Sequence, residues 1–171
     1  MKKSVLLLLV GCLMTLSSQA QKFALIDMEY ILQHIPAYEQ AVKQLDADSK
    51  KYQSEVEALG QEAKTLYENY QKEADKLTSA QRTERENAIV AKEKEAAELR
   101  QQYFGPQGTM NQQQQQLMQP INDSIYEAVK AISLQRGYSL VLDRASDTAI
   151  IFASPAIDIS NEVLSRLGYS N

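Results

Sequence analysis

Cysteine and histidine each occur once in the 171 residues and tryptophan not at all, and aromatic side chains make up only 7%. Most metal centres and most histidine-assisted nucleophiles draw on residues that this chain barely holds. His34 has no second His, no Cys and no serine motif to work with, so it is read as structural. A glycine-rich phosphate loop and a cluster of metal ligands are both missing. No catalytic, cofactor-binding or metal-ligating residue is therefore expected, and the chain does not read as an enzyme. Charge is not one-sided either: 18 Lys and Arg stand against 22 Asp and Glu, which argues against nucleic acid, where a basic patch is needed.

What is present begins with a leader. Lys2 and Lys3 make a basic start, Val5 to Leu16 is apolar but too short to span a bilayer, and Ser18-Gln19-Ala20 supplies small residues at a cleavage-site spacing. Residues 1–20 are expected to be a signal peptide cut after Ala20. Leu9-Val10-Gly11-Cys12 offers a second reading, in which Cys12 becomes a lipidated terminus. With the cut at Ala20 the mature chain has no cysteine, and losing Lys2 and Lys3 leaves 16 basic against 22 acidic residues, a net charge of −6. No later stretch is apolar enough to cross a membrane, so the product is expected to be soluble outside the cytoplasm.

Pro36 suits the first position of a helix, and from Tyr38 a four-three spacing runs on: Tyr38, Val42, Leu45, Ser49, Tyr52, Val56, Leu59, Ala63, Leu66, Tyr70, Glu73, Leu77. Ten of these twelve positions are apolar or aromatic, and so narrow a stripe specifies a coiled-coil seam. Thr78 with Gln81 forms a capping box for a second helix, whose weaker seam runs through Ile89, Ala96, Leu99 and Tyr103, with Lys92 a polar exception. A hairpin turning near residue 78 pairs Pro36 with Pro120, so that two prolines bracket an arm over 37–120. Each limb would reach roughly 60 Å at 1.5 Å per residue.

The returning limb is interrupted at Gly105-Pro106-Gln107-Gly108, as a hinge or as a packing adjustment between the limbs. The glutamine-rich run Asn111 to Gln116 reads as a solvated helix face. After Pro120 the apolar spacing restarts in a new phase at Ile121, Ile125 and Ile132. Asn122-Asp123-Ser124 matches a common glycosylation pattern at a helix start and carries little weight.

Residues 21–36 and 121–171 read as a small body of about three strands. Phe23 to Asp27 is one strand, containing Ile26. Tyr138 to Asp143, with Leu140, Val141 and Leu142, is a second, and Ala149 to Phe152, with Ile151, a third joined to it as a hairpin. Met28 to Ile35 makes two helical turns, and Asp158 or Ser160 caps a last helix ending at Gly168. The fold class is α+β, and so meagre a core needs other copies to enlarge it and to cover its open edges.

The strand leading into Met28-Glu29-Tyr30-Ile31-Leu32 and Ile35-Pro36, the long charged hairpin, Gly137-Tyr138-Ser139-Leu140-Val141-Leu142-Asp143, and Asp158-Ile159-Ser160-Asn161-Glu162-Val163-Leu164 together resemble the Skp/OmpH periplasmic chaperones. The resemblance covers essentially the whole mature chain, in order. It implies a homotrimer whose strands form a body and whose three hairpins surround a cavity for unfolded outer-membrane β-barrel proteins, without ATP or any cofactor. The better-known members are basic, whereas residues 37–120 hold 11 basic and 14 acidic side chains, net −3. Near the tip Lys72, Lys76, Arg82 and Arg85 are offset by Glu73, Asp75, Glu84 and Glu86, which argues against attraction to anionic lipid.

Two functions follow: a holding chaperone, or a coiled-coil spacer or oligomerisation module of the cell envelope. Tyr67 and Phe104 fall just off the seam formed by Val42, Leu45, Tyr52, Val56, Leu59, Leu66, Tyr70 and Leu77. Those two aromatics are the candidates for client contact, or else they widen the packing inside the hairpin.

Overall fold

The computed structural model describes residues 21–146 and 150–169. The signal peptide of residues 1–20, the alternative at Cys12 and the start of the third strand at Ala149 lie outside the described residues. The chain divides into two compact units, one of Leu32–Tyr126 and the other of the segments before and after it. Its elements are β1 (Lys22–Ile26), α1 (Met28–Gln33), α2 (Pro36–Glu73), α3 (Ser79–Phe104), α4 (Thr109–Arg136), β2 (Tyr138–Asp143) and α5 (Ser160–Leu167). Mostly helical, with a small two-stranded sheet, it has the α+β character read from the sequence.

In the unit Leu32–Tyr126, Ile35 is extended at φ −101° and ψ 111°, the region that a following proline favours, and Pro36 opens α2. A single 3-10 turn, Ala74–Lys76, ends that limb. Thr78 then caps α3: its Oγ1 accepts from the Gln81 N–H at 3.3 Å, and the Gln81 side chain accepts from the Thr78 N–H at 3.0 Å. Such a reciprocal box satisfies two orphan donors at once.

The limbs run antiparallel. Glu73 meets Arg85 at 3.7 Å, Tyr70 donates to Glu86 at 2.5 Å, Glu62 meets Lys92 at 3.1 Å, and Tyr52 stacks on Tyr103. The numbers of these pairs add to between 154 and 158, which sets the fold of the hairpin at residues 77–79. Val56, Ala63 and Ile89 are buried along the seam, while Leu45, Tyr52, Leu59, Leu66, Tyr70 and Leu77 are half-buried. Val42 is not a seam residue: it is 44% exposed, and Ala41 is buried in its place. Positions 41 and 42 lie about 100° apart around the helix, so only one of them can face inward, and the smaller side chain is the one that is turned in.

The break is a β-turn closed by the Gly108 N–H on the Gly105 carbonyl at 2.8 Å. A side chain at Gly105 would meet the Gln101 carbonyl oxygen at 2.4 Å, and one at Gly108 the Tyr103 carbonyl oxygen at 2.7 Å, so neither site has room for a Cβ. Tyr52 meets Tyr103 on one side of the turn and accepts from Gln113 Nε2 at 3.2 Å on the other. The chain between 103 and 113 thus gains little ground along α2, where an unbroken helix would advance about 15 Å at 1.5 Å per residue. The symmetric pairing of Pro36 with Pro120 fails for this reason. Pro120 instead sits inside α4, and the apolar spacing that restarts after it is buried at Ile121, Ile125 and Ile132. It is exposed, so water can satisfy the carbonyl that its missing N–H leaves open.

In the other unit β1 and β2 pair in parallel, with Phe23 opposite Leu140, Ala24 opposite Val141 and Leu25 opposite Leu142. Ala24, Leu25 and Ile26 are buried, as are Ile31, Ile132, Val163 and Leu164. Each of these side chains larger than alanine contributes about 1.5–3 kcal/mol. Asp27 caps α1 by accepting from the Tyr30 N–H at 2.9 Å, and its other oxygen accepts from the Arg144 guanidinium at 3.0 Å. α4 and α5 each end on a left-handed glycine, Gly137 at φ 73° and Gly168 at φ 86°, a conformation that residues with a Cβ rarely adopt.

Among the described residues the third strand is not formed. Ile150, Ile151 and Phe152 lie outside any strand, with Ile151 99% and Phe152 85% exposed. The far edge of β1 is taken by Asp158, with the Ile159 N–H bound to the Leu25 carbonyl at 2.9 Å, whereas the outer edge of β2, on which the hairpin was expected, carries no strand among the described residues.

Candidate functional site

The hairpin carries one continuous groove on a face between α2 and α3. Two adjoining hollows of about 910 and 300 Å³ share Val56, Glu57 and Arg100. Tyr67 lines one end and Phe104 the other, so the groove brings together the two aromatics that the sequence placed just off the seam. Tyr67 is 49% and Phe104 39% exposed. They differ in how they are held: Tyr67 accepts a hydrogen bond from Gln71 at 2.7 Å, whereas Phe104 packs edge-on against Tyr103 at 6.3 Å between ring centres. The contact of Phe104 is thus with its own neighbour in the chain.

The floor joins two seam residues, Ala63 and Ala96, to two residues that sequence reasoning passed over, Gly60 and Ala97. Gly60, Ala63, Ala96 and Ala97 line it, and a Cβ built on Gly60 would find no atom within 4 Å. Small residues repeating on facing positions of the two limbs were the available signal, hidden because alanine is also a common filler in helices.

Charges around the seam are locally paired. The Lys92 ammonium lies between Glu95 at 2.8 Å and Glu62 at 3.1 Å. Those two hydrogen-bonded carboxylates, Glu95 foremost, raise its pKa. The Tyr103 hydroxyl donates to Glu55, and that bond, followed by burial, raises the phenol above its ordinary value of 10.0. On the strand unit, burial works to raise the pKa of Asp143. Bonds from the Met28 N–H at 3.0 Å, from Ser146 and from the Ala145 N–H outweigh it and hold the carboxyl below its ordinary 3.8.

The strand residues named from the sequence fall in two groups. Ile26 is buried in β1 and Val141 half-buried in β2. Leu140 at 46% and Leu142 at 36% exposure share a sheet face with Phe23 at 49% and with the buried Leu25, so the part of that face at Phe23, Leu140 and Leu142 is apolar and open. Among the described residues there is no group of three or more His, Cys, Asp or Glu that could hold a metal ion, and no helix is long and apolar enough to cross a membrane.

This architecture has known counterparts. The chain is 27% identical over 151 residues to the chaperone protein Skp of Yersinia enterocolitica, covering 88% of each. It is 25% identical over 148 residues to the Skp of Photorhabdus laumondii, covering 86% of each. A crystal structure from Caulobacter crescentus, described as an OmpH-like outer membrane chaperone, shares the fold with a TM-score of 0.67 at 12% identity, over 88% of this chain and 86% of that one. The family model of OmpH-like outer membrane proteins matches residues 22–167, from the first residue of β1 to the last of α5, and the chain belongs to that family.

Proposed function

We propose that the protein is an ATP-independent holding chaperone of the periplasm, which binds unfolded outer-membrane β-barrel proteins between its helical hairpins and keeps them from aggregating. The observation that carries this reading is the collinear match of residues 22–167 to the OmpH-like family, with relatives named as Skp chaperones over 88% of the chain. The hairpin fits the role physically: it offers exposed aromatics, Tyr67 and Phe104, amid mixed charge. Clients would be held by a sum of weak contacts, and released once their own folding or insertion is more favourable.

The working form is taken to be a homotrimer joined through the strand unit. In support, Phe23, Leu140 and Leu142 form an uncovered apolar face, and Ile151 and Phe152 are almost fully exposed. Surfaces of this kind mark protein contacts. The test is dilution of a urea-denatured outer-membrane β-barrel protein into buffer with and without the mature chain, followed by light scattering and by an intact-assembly mass. Suppressed scattering at stoichiometric trimer without nucleotide is the expected result. A trimer that leaves aggregation unchanged would favour the envelope-spacer reading instead, and a monomer mass would remove the trimer.

A further inference from the structure

We propose that the groove between α2 and α3 is a docking site for one extended segment of client chain, in which apolar and polar side chains alternate. The inference rests on the chaperone reading above and assigns it a place on the hairpin. From Gln53 to Tyr67 the groove is about 21 Å long at 1.5 Å per helical residue, which matches about six residues of extended chain at 3.3 Å each. Its volume, about 910 Å³ with a further 300 Å³ beside Phe104, suits a few side chains and not a folded partner.

The chemistry of the walls selects the pattern. Side chains on one face of an extended segment would lie on Gly60, Ala63 and Ala96, between the rings of Tyr67 and Phe104. Those on the opposite face would turn back toward the rim, where Glu57, Glu93 and Arg100 have no ion-pair or hydrogen-bond partner among the described residues. Charges of both signs left unused beside an apolar floor complement a segment that carries polar groups of either sign in every second place. Membrane-spanning strands of β-barrels have that alternation, apolar toward lipid and polar toward the lumen. A uniformly apolar segment would instead leave the rim charges desolvated and unpaired.

Gly60 allows the groove to be filled without disturbing the hairpin, since a Cβ there meets nothing and glycine is a poor helix former to begin with. The experiment uses the full mature chain as wild type, Gly60→Leu and Val90→Leu, the last at an exposed position of α3 that does not line the groove, with a diluted, urea-denatured outer-membrane β-barrel protein as probe. Gly60→Leu is expected to keep the wild-type assembly mass and a melting temperature no lower than wild type. It should need about tenfold more protein for the same suppression of aggregation, the equivalent of one apolar side chain left unburied, while Val90→Leu stays near wild type. Ala97→Leu fills the same groove from α3, and gives the same reading should Gly60→Leu fail to fold. Full activity of the filled variants beside an active wild type overturns the groove and leaves the chaperone reading standing. An inactive wild type overturns both. A changed assembly mass in the filled variants would assign the groove to contacts between copies and overturn its role for clients.

Discussion

Ile89 and Val90 are neighbours in α3 with opposite surroundings, 7% and 61% exposed. The seam assignment can therefore be tested on adjacent residues. Truncating Ile89 to alanine removes buried carbon facing α2 and leaves a cavity, which in a two-helix layer belongs near the lower end of the usual range, about 2–3 kcal/mol. Val90→Ala removes mostly solvated carbon and gains helix propensity, so its net effect should stay within about 0.5 kcal/mol. For a chain of this size 1 kcal/mol moves the melting temperature by about 2–4 °C. Ile89→Ala should accordingly melt about 5–10 °C below wild type and Val90→Ala within about 2 °C of it. The measurement is helical circular dichroism against temperature, at one fixed protein concentration because assembly contributes to stability. Limited proteolysis of the region 36–136 would show whether the loss is local to the hairpin. Equal shifts for the two variants would mean that α3 does not face α2 through Ile89, and the register built on it would fall.

Val141→Asp puts a charge on the half-buried face of β2, opposite Ala24. It should cost about 3 kcal/mol or more and split or unfold the assembly, which a mass measurement would detect. Asp143, whose folded pKa lies below 3.8, contributes stability in full above that value, and the contribution is lost as pH falls through the lower folded value. Asp143→Asn should therefore flatten the loss of stability in acid denaturation monitored below pH 4, whereas an unchanged acid profile would remove Asp143 from the account. Deleting the tip from Gln71 to Arg85 and closing the limbs with a short turn should weaken holding while leaving the assembly mass per chain intact. Full holding activity without the tip would count against enclosure.

The parts of the fold that were legible in the sequence are those set by local chemistry. Pro36 at a helix start, the Thr78–Gln81 capping box and the left-handed Gly137 and Gly168 each depend on a few neighbouring residues, and each stands where the spacing placed it. The aromatics off the seam, Tyr67 and Phe104, were also visible, because periodicity separates inward from outward positions on a helix. Their common groove was not. It depends on which residues of α3 lie across from Gly60, and so on the pairing of two segments distant in sequence. The missing third strand has the same origin. Ile150–Phe152 is as apolar as a strand requires, but apolar composition does not decide strand pairing, and the neighbour that β1 takes on its far side comes instead from Asp158 and Ile159, further along the chain.

The prolines illustrate how a correct pivot can still yield a wrong partner. Counting equal numbers of residues from the turn assumes that both limbs advance at the same rise, and above the break they do, since every cross-limb pair from Glu73–Arg85 to Tyr52–Tyr103 shares one register. Below it the assumption fails at a single residue. Tyr52 holds Tyr103 by stacking at 4.1 Å and Gln113 by a hydrogen bond at 3.2 Å, so the chain between them is spent on the turn. That turn is well satisfied: Asn111 donates to the Pro106 carbonyl at 3.0 Å, Gln112 to the Gln107 carbonyl at 2.9 Å, and both glycines are buried. A segment whose backbone groups are paired and whose glycines are packed against neighbouring carbonyls resists bending. Of the two sequence readings of Gly105–Gly108, the geometry favours the packing adjustment: the turn shifts the register of the returning limb by a fixed amount, and Tyr52 fastens both sides of the shift to the same point on α2.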